Sequence, residues 1–148
     1  MPDLAALVLQ EFRDRFAAYR RSAEAALAQA DDDAFFATLD AESNPLALQV
    51  KHLAGNFRSR WTDFLTTDGE KPDRERDREF VLEDGDTREA LMARWAESWS
   101  VLEATLDALT PGDLTRAVTI RGEAHGVVEA LSRGLTHTAY HVGQIVLL

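Results

Sequence analysis

The sequence predicts an all-α protein with the architecture of a four-helix bundle. Apolar residues recur at three- and four-residue steps in four long segments of the 148-residue chain, and turn-forming residues separate these segments. Roughly twenty charged and turn-forming residues, TDGEKPDRERDREFVLEDGD, lie between the second segment and the third. A connection of this length suits a crossover along the bundle, which leaves the second and third helices parallel. The chain length favours a single domain over residues 1–148.

The first two helices are each predicted from an apolar stripe and its boundaries. The first runs from about residue 3 to residue 29 and ends in the acidic turn ADDDA. The second begins at SNP, where Asn44 can cap the helix and Pro45 fits the first helical position, and it stops near Thr66. The two stripes are Leu4, Leu7, Val8, Phe12, Phe16, Tyr19, Ala23 and Leu27, and then Leu46, Val50, Leu53, Phe57, Trp61 and Phe64.

The third and fourth helices are predicted in the same way. Asp86 is the expected N-cap of the third, with Glu89 three residues on, and TPG at 110–112 ends this helix. A short alternating run within 110–123 predicts an extended segment, and the fourth helix is expected to start near Ala124. The stripes are Leu91, Trp95, Trp99 or Ser98, Leu102, Leu106 and Leu109, and then Val127, Leu131, Leu135, Thr138, Val142 and Ile145.

Composition and charge exclude several classes of protein. The net charge is −10, and the arginine clusters are interleaved with acidic residues, which argues against a nucleic-acid partner. The absence of cysteine excludes disulfides, thiolate ligands and a thiol nucleophile on the protein. No run of about 18 apolar residues exists, so a transmembrane helix is excluded. The N-terminal stretch has no basic region before an apolar one, so we expect no signal peptide and a cytoplasmic location.

Two of the four histidines, His137 and His141, lie four positions apart beside the apolar stripe of the last helix. Such positions face the same side of a helix with Cβ atoms about 5–6 Å apart, and two imidazoles there can bind one metal ion. Gly134, one turn earlier, is expected to leave space beside them. His125, predicted near the start of this helix, is expected to be partly exposed and not a ligand.

The second helix supplies a third candidate ligand, His52. This residue lies about 10 Å from the helix start at Pro45, and His141 lies a similar rise before the last residue of the chain. Antiparallel packing of the second and fourth helices would therefore bring His52 level with His137 and His141. The alternative interpretation is a set of histidines at the edge of the core that neighbouring groups hold by hydrogen bonds, without a metal.

Two segments resemble a family of unknown function within the DinB/YfiT-like superfamily. They are KHLAGNFRSRWTDFLTTDGEKPDRERDREF at 51–80 and IRGEAHGVVEALSRGLTHTAYHVGQIVLL at 120–148. The resemblance implies an up-down-down-up bundle, often a homodimer, with a divalent metal ion, typically zinc or nickel. It places the three metal ligands on His52, His137 and His141. Distant relatives are transferases and isomerases that depend on low-molecular-weight thiols.

Three neutral imidazoles leave at least one coordination position open, which is typical of catalytic metal sites. We therefore expect a metal-dependent enzyme. A hydrolase would use a water whose pKa zinc lowers towards about 7, and the resemblance favours a thiol-dependent S-transferase. The sequence offers no obvious general acid or base near the three histidines, which weakens the hydrolase interpretation. The alternative is a non-catalytic metal- or small-ligand-binding protein of a stress response.

Three polar residues are candidate contacts for a small-molecule substrate. Asn56 and Gln144 lie about one helical turn from the predicted ligands and could orient a bound water or substrate, or simply face solvent. Arg121, which recurs in the family pattern that the chain resembles, could bind an anionic group at the mouth of the bundle. A structural ion pair is the alternative role for Arg121. The tryptophans at positions 61, 95 and 99 are expected to pack in the core.

Overall fold

A computed structural model describes residues 3–148, and these residues are mostly helical, as the sequence predicts. The four periodic segments form four long helices, and the structure adds one short helix and a two-stranded hairpin. In chain order the elements are α1 (Leu4–Gln29), α2 (Asp32–Phe36), α3 (Leu46–Trp61), α4 (Arg88–Ala108), β1 (Ala117–Ile120), β2 (Glu123–Gly126) and α5 (Val127–Leu147). Two short 3-10 helices, Arg76–Phe80 and Pro111–Thr115, lie in the connections.

The acidic turn predicted after the first helix is instead the short helix α2. Asp31 caps α2 because its side chain accepts a hydrogen bond from the backbone nitrogen of Ala34 at 2.8 Å. Phe35 is fully buried, so the helix covers the core with one aromatic ring. A helix of this length has no periodicity of its own, and the prediction of a plain turn was therefore wrong.

Helix α3 differs from its prediction at both ends. Pro45 is the residue before the helix and not its first residue, and no side chain caps the helix start, so Asn44 does not have the predicted role. The helix ends at Trp61, before the predicted limit at Thr66. Asp63 has a φ of 47°, in the left-handed region, and its carbonyl accepts hydrogen bonds from the backbone nitrogen atoms of the two threonines that follow the turn.

The start of α4 is also one residue later than predicted. Thr87 is its N-cap and accepts a hydrogen bond from the backbone nitrogen of Ala90 at 3.1 Å. Asp86, the predicted cap, instead lies 2.6 Å from the ammonium group of Lys51. Both of these side chains are buried, and the need to neutralise Lys51 explains why the carboxylate turns away from the helix end.

The extended segment predicted before the last helix is strand β1, but it continues into a hairpin that the sequence did not reveal. Strand β1 pairs antiparallel with β2, with Ile120 opposite Glu123. Helix α5 consequently begins at Val127 and not near Ala124, because Ala124 belongs to strand β2.

Contacts along the helices give their relative directions. Helices α3 and α4 run the same way, since Lys51 pairs with Asp86 near their beginnings and Thr105 donates to the carbonyl of Trp61 near their ends. Helices α3 and α5 run in opposite directions. Near the beginning of α3, Gln49 contacts His141 at the far end of α5, whereas the Trp61 ring packs against Gly134.

Helix α1 runs opposite to α4. Near the beginning of α1, Arg13 donates hydrogen bonds to the carbonyl of Leu106 at 2.8 and 3.0 Å. Near its end, the carbonyl of Leu27 accepts one from Arg88 at 2.9 Å. The four long helices enclose a core in which the side chains of the three tryptophans are buried, as predicted. Within residues 3–148 no helix combines the length and the apolarity that crossing a bilayer requires.

The long connection between α3 and α4 packs on α3. Ser59 donates to the carbonyl of Gly69 at 2.7 Å, and Lys51 donates to the carbonyl of Val81 at 2.8 Å. The 3-10 helix Arg76–Phe80 lies against α3 and brings the buried side chain of Glu79 to it. The connection is thus fixed to α3 by specific contacts, and it reaches this helix beside the candidate site.

We predict that Asp86→Asn destabilises the protein by about 3 kcal/mol at neutral pH, because the buried ammonium of Lys51 loses its counter-charge. Urea denaturation measures this difference. The matched control is Asp84→Asn, a change at an exposed position that should cost no more than about 0.5 kcal/mol. Equal effects of the two changes would contradict the role of the ion pair.

The pH dependence gives a second measure of the same ion pair. Burial alone would raise the pKa of Asp86. The hydrogen bonds from Lys51 and the backbone of Glu83, together with the charges of Lys51 and Arg94, outweigh burial and hold that pKa below its ordinary value. The stabilisation is therefore complete above the pKa of the unfolded state, about 3.9, and is lost as the pH falls through the folded pKa. The stability difference between wild type and Asp86→Asn should shrink below about pH 4.

Candidate metal centre

The three predicted histidines meet between helices α3 and α5. One ring nitrogen from each of His52, His137 and His141 can be chosen so that all three atoms lie within 4.8 Å of one another. The Nε2 atoms of His52 and His137 are 3.2 Å apart. His52 is buried, and the other two are partly buried. The site therefore has three imidazoles that are close enough to share one metal ion.

The rings pack edge to face around this point. Their centroids are 5.2 Å apart for His52 and His137, 4.6 Å for His52 and His141, and 4.5 Å for His137 and His141. The ring of Phe80, from the long connection, lies 4.6 Å from that of His52. The histidines are therefore held by packing as well as by the helices that carry them.

A buried carboxylate orients His52. Glu79 Oε1 lies 2.9 Å from His52 Nδ1, and Arg74 binds both carboxylate oxygens at 2.9 and 2.8 Å. Burial opposes the charge of Glu79, but Arg74 and His52 outweigh it and lower the pKa of this carboxyl. An ionised carboxylate accepts a hydrogen bond from the protonated Nδ1, so Nε2 carries the lone pair, and this atom faces the other histidines.

Gly55 makes room for this carboxylate. A Cβ atom at position 55 would lie 2.2 Å from Glu79 Oε2, a distance that no side chain could tolerate without displacing Glu79. Gly55 lies within one helical turn of His52 on α3. Glu79 approaches the helix at this glycine, where no side chain obstructs it. The close approach is what allows the carboxylate to reach His52 Nδ1.

His141 has a similar arrangement with an uncharged partner. Gln49, a buried residue one turn before His52 on α3, places its amide oxygen 2.7 Å from His141 Nδ1. The amide oxygen accepts a hydrogen bond, so Nδ1 carries the proton and Nε2 is free to ligate. His137 Nδ1, by contrast, is buried with no hydrogen-bond partner within residues 3–148.

Two of the histidines are neutral at physiological pH. Burial, together with the neighbouring imidazoles, lowers the pKa of His137 to about 3. Burial and the nearby His52 lower the pKa of His141 to about 4. Neutral imidazole is the form that binds a metal ion, so these residues need not lose a proton when an ion arrives.

A cavity of about 220 Å³ opens beside His52 and His137. Two of the three predicted substrate contacts, Asn56 and Arg121, line it, but Gln144 does not. The amide oxygen of Gln144 is buried without a hydrogen-bond partner in the described part of the chain. The full lining is His52, Asn56, Arg60, Trp61, Phe64, Arg74, Arg76, Ile120, Arg121, Ala130, Arg133, Gly134 and His137.

Two other predictions about this region have different outcomes. The space that Gly134 leaves is taken by the Trp61 ring, because a Cβ atom at position 134 would lie 2.6 Å from that ring. His125 lies outside the cluster, as expected, and its Nδ1 is 2.9 Å from Glu129. It belongs to strand β2, however, and not to the helix.

The sequence analysis missed the residues that orient the ligands, namely Gln49, Arg74 and Glu79. Gln49 had a readable signal, since it lies three residues before His52 and so on the same side of the helix. Glu79 and Arg74 had none, because they belong to a charged connection without periodicity. Their position depends on how that connection folds against α3.

Residues 3–148 match the sequence model of a family described as Protein of unknown function (DUF1572). No curated protein matches the chain, and no solved structure does. The family match covers nearly all of the chain, including the three histidines and the residues that orient them. The chain therefore belongs to the DUF1572 family of proteins of unknown function.

Proposed function

We propose that this protein binds one divalent metal ion through His52, His137 and His141 and uses the open side of that site for chemistry on a small molecule. The observation that carries the proposal is the convergence of three imidazoles, two of which have their Nδ1 atoms bound by acceptors. Three protein ligands leave a coordination position for a substrate, which distinguishes catalytic sites from closed structural ones. The adjoining cavity supports this assignment.

Zinc or nickel is the ion that we propose. Imidazole nitrogen suits both ions, whereas calcium and magnesium prefer oxygen ligands. Glu79 does not compete as a ligand, because both of its oxygens are engaged by Arg74 and His52. Because three neutral nitrogen donors do not cancel the positive charge of the ion, that charge can act on a bound substrate.

The helix directions support a wider relationship. Helix α3 is parallel to α4 and antiparallel to α5, and α1 is antiparallel to α4. We infer from these pairs an up-down-down-up four-helix bundle and a place for the chain in the DinB/YfiT-like superfamily. We also propose that the protein is a homodimer, as that relationship implies.

Transfer to a low-molecular-weight thiol is the reaction class that we propose. Among residues 3–148, no carboxylate and no hydroxyl side chain lines the cavity shared by His52 and His137, so this cavity offers neither a nucleophile nor a free general base. The hydroxyl groups of Ser132, Thr136 and Tyr140 line a separate cleft beside His137. A reaction whose co-substrate brings its own nucleophile fits this lining. A bound divalent ion would supply a Lewis acid that favours the ionised form of such a thiol.

The cavity residues then have supporting roles. Asn56, one turn after His52, would donate or accept a hydrogen bond to the substrate, and Arg121 would bind an anionic group. Gln144 would act from outside the cavity, through its buried amide. The same absence of a general base also fits a second candidate function, a non-catalytic protein that binds a metal or a small ligand in a stress response.

The first prediction from this proposal concerns metal content. Protein that has been purified without a nickel column should contain close to one equivalent of zinc, nickel or a similar ion, measured by elemental mass spectrometry. His141→Ala should lose most of it, because two ligands hold such an ion far less tightly. His125→Ala, which removes a histidine outside the cluster, should keep the wild-type content. Metal-free wild type that also fails to bind added zinc would contradict the proposal.

The second prediction concerns Glu79. Glu79→Gln should weaken metal affinity by about 10- to 100-fold, because an amide holds the Nδ1 proton of His52 less firmly than a carboxylate does. Competition with a zinc-sensitive chelating dye measures the affinity. Glu75→Gln is the matched control, since Glu75 is exposed on the same connection and pairs with Arg78. An unchanged affinity in Glu79→Gln would show that the carboxylate has only a structural role.

The third prediction concerns thiols. Cysteine or glutathione at about 100 times its dissociation constant should raise the melting temperature of the metal-loaded protein by several degrees. Serine and S-methylglutathione, which keep the carboxylates but lack a free thiol, should raise it by clearly less. This difference between the thiols and the thiol-free ligands should vanish in metal-free His141→Ala. If every thiol leaves the metal-loaded protein unchanged, thiol transfer is wrong and the non-catalytic alternative is favoured.

A further inference from the structure

The cavity beside the histidines has an unusual charge for an acidic protein. The chain has a net charge of −10, yet five of the thirteen lining residues are arginines: Arg60, Arg74, Arg76, Arg121 and Arg133. We propose that this cavity binds a small organic anion with a carboxylate or phosphate group and holds it against the three histidines. The anion site stands on the cavity itself, and its link to the metal rests on the proposed function.

Three carboxylates partly neutralise the arginines. Glu79 binds Arg74, and Glu129 lies 3.7 Å from Arg133. Arg76 has no carboxylate partner in the part of the chain that the structure describes, and its guanidinium instead lies 5.9 Å from the centre of the Phe80 ring.

The third carboxylate, Glu70, is shared. It lies 3.1 Å from Arg60, 3.3 Å from Arg74 and 3.6 Å from Arg121. The five guanidinium groups thus outnumber the carboxylates that form ion pairs with them, Glu70, Glu79 and Glu129. Such a concave positive site attracts an anion even on a protein whose overall charge is negative.

The backbone of Arg121 has a left-handed conformation that asparagine and glycine adopt more readily than arginine does. Arg121 and Gly122 form the two-residue turn between β1 and β2, with φ values of 52° and 78°. Asp68 holds this turn by accepting hydrogen bonds from the backbone nitrogen atoms of both residues, at 2.8 and 2.9 Å. Turns of this kind prefer asparagine or glycine first, and an arginine there costs roughly 1 kcal/mol. Strain of this kind tends to mark a functional position, and here the side chain reaches the cavity.

The rest of the lining limits the size and character of the ligand. Trp61, Phe64 and Ile120 provide the large apolar part of the lining. A volume of about 220 Å³ accommodates a small molecule with a short carbon skeleton. Because His52 and His137 line the same space, one end of such a molecule would lie on the arginines while the other reaches the histidines. Arginine binds carboxylate and phosphate alike through paired hydrogen bonds.

The experiment is isothermal titration of the full-length protein with succinate, glycerol 3-phosphate and inorganic phosphate at constant ionic strength. Glycerol is the uncharged control. Succinate, glycerol 3-phosphate or both should bind saturably with one site per chain. Preference for succinate or for glycerol 3-phosphate identifies the ligand as a carboxylate or a phosphate ester, and binding of inorganic phosphate alone would overturn an organic ligand.

Two variants test the assignment to the cavity. Arg76→Gln and Arg121→Asn should each weaken anion binding about tenfold or more, because each removes a charge-assisted hydrogen bond. Arg58→Gln is the control, since it removes the same charge from an exposed residue that pairs with Asp73 outside the cavity. Arg121→Asn should also keep or raise the melting temperature, which a merely structural arginine would not allow. Equal weakening by Arg58→Gln, or no saturable binding of any anion, would overturn the proposal.

Metal content, measured in the same samples, separates the two proposals. Wild type that binds zinc but no anion would overturn the anion site and leave the metal site intact. Wild type that binds an anion but no metal would support the anion site and contradict the proposed function. Both arginine variants should retain the wild-type zinc content, because neither residue is a candidate ligand or a hydrogen-bond partner of the three histidines.

Discussion

The interaction on which the candidate site depends is the one that joins Glu79 to His52 and Arg74. It links the long connection to helix α3 through a buried, fully hydrogen-bonded carboxylate. A buried charge without such partners would be costly, so the carboxylate and its two partners stabilise one another's positions. Gly55 permits the contact because its missing side chain leaves room for the carboxylate. The orientation of the His52 ring, and with it the direction of its free nitrogen, follows from this arrangement.

The connection is therefore a structural part of the protein, although its composition is that of a solvated loop. Lys51 and Asp86 fix its end near the start of α4, and Ser59 and Gly69 fix its beginning near the end of α3. Between these points it supplies both the orienting carboxylate and two of the five arginines of the cavity, Arg74 and Arg76. A site assembled from two helices and a fixed connection is more rigid than one assembled from a mobile loop, which suits the placement of metal ligands.

The local charge at the cavity differs in sign from the net charge of the chain. The chain has a net charge of −10, yet five arginines line the cavity beside the histidines. Salt screens exposed charges over about 10 Å, so the nearby arginines dominate the electrostatic potential that acts on a small ligand in that cavity. An anion held there and an ion held by the histidines would lie side by side. Such a pairing of opposite charges is compatible with a metal-assisted reaction on an anionic substrate.

The sequence by itself determined the four long helices, because the periodicity of apolar residues is a local property of the chain. It also brought His52 level with His137 and His141, since the rise per residue of a helix is constant. Only the tertiary structure decided the roles of Glu79, Arg74 and Asp86, and it alone revealed α2, β2 and the arginines that face one cavity. These features depend on which distant residues a charged side chain meets. A connection without hydrophobic periodicity gives no sequence signal from which those contacts could be predicted.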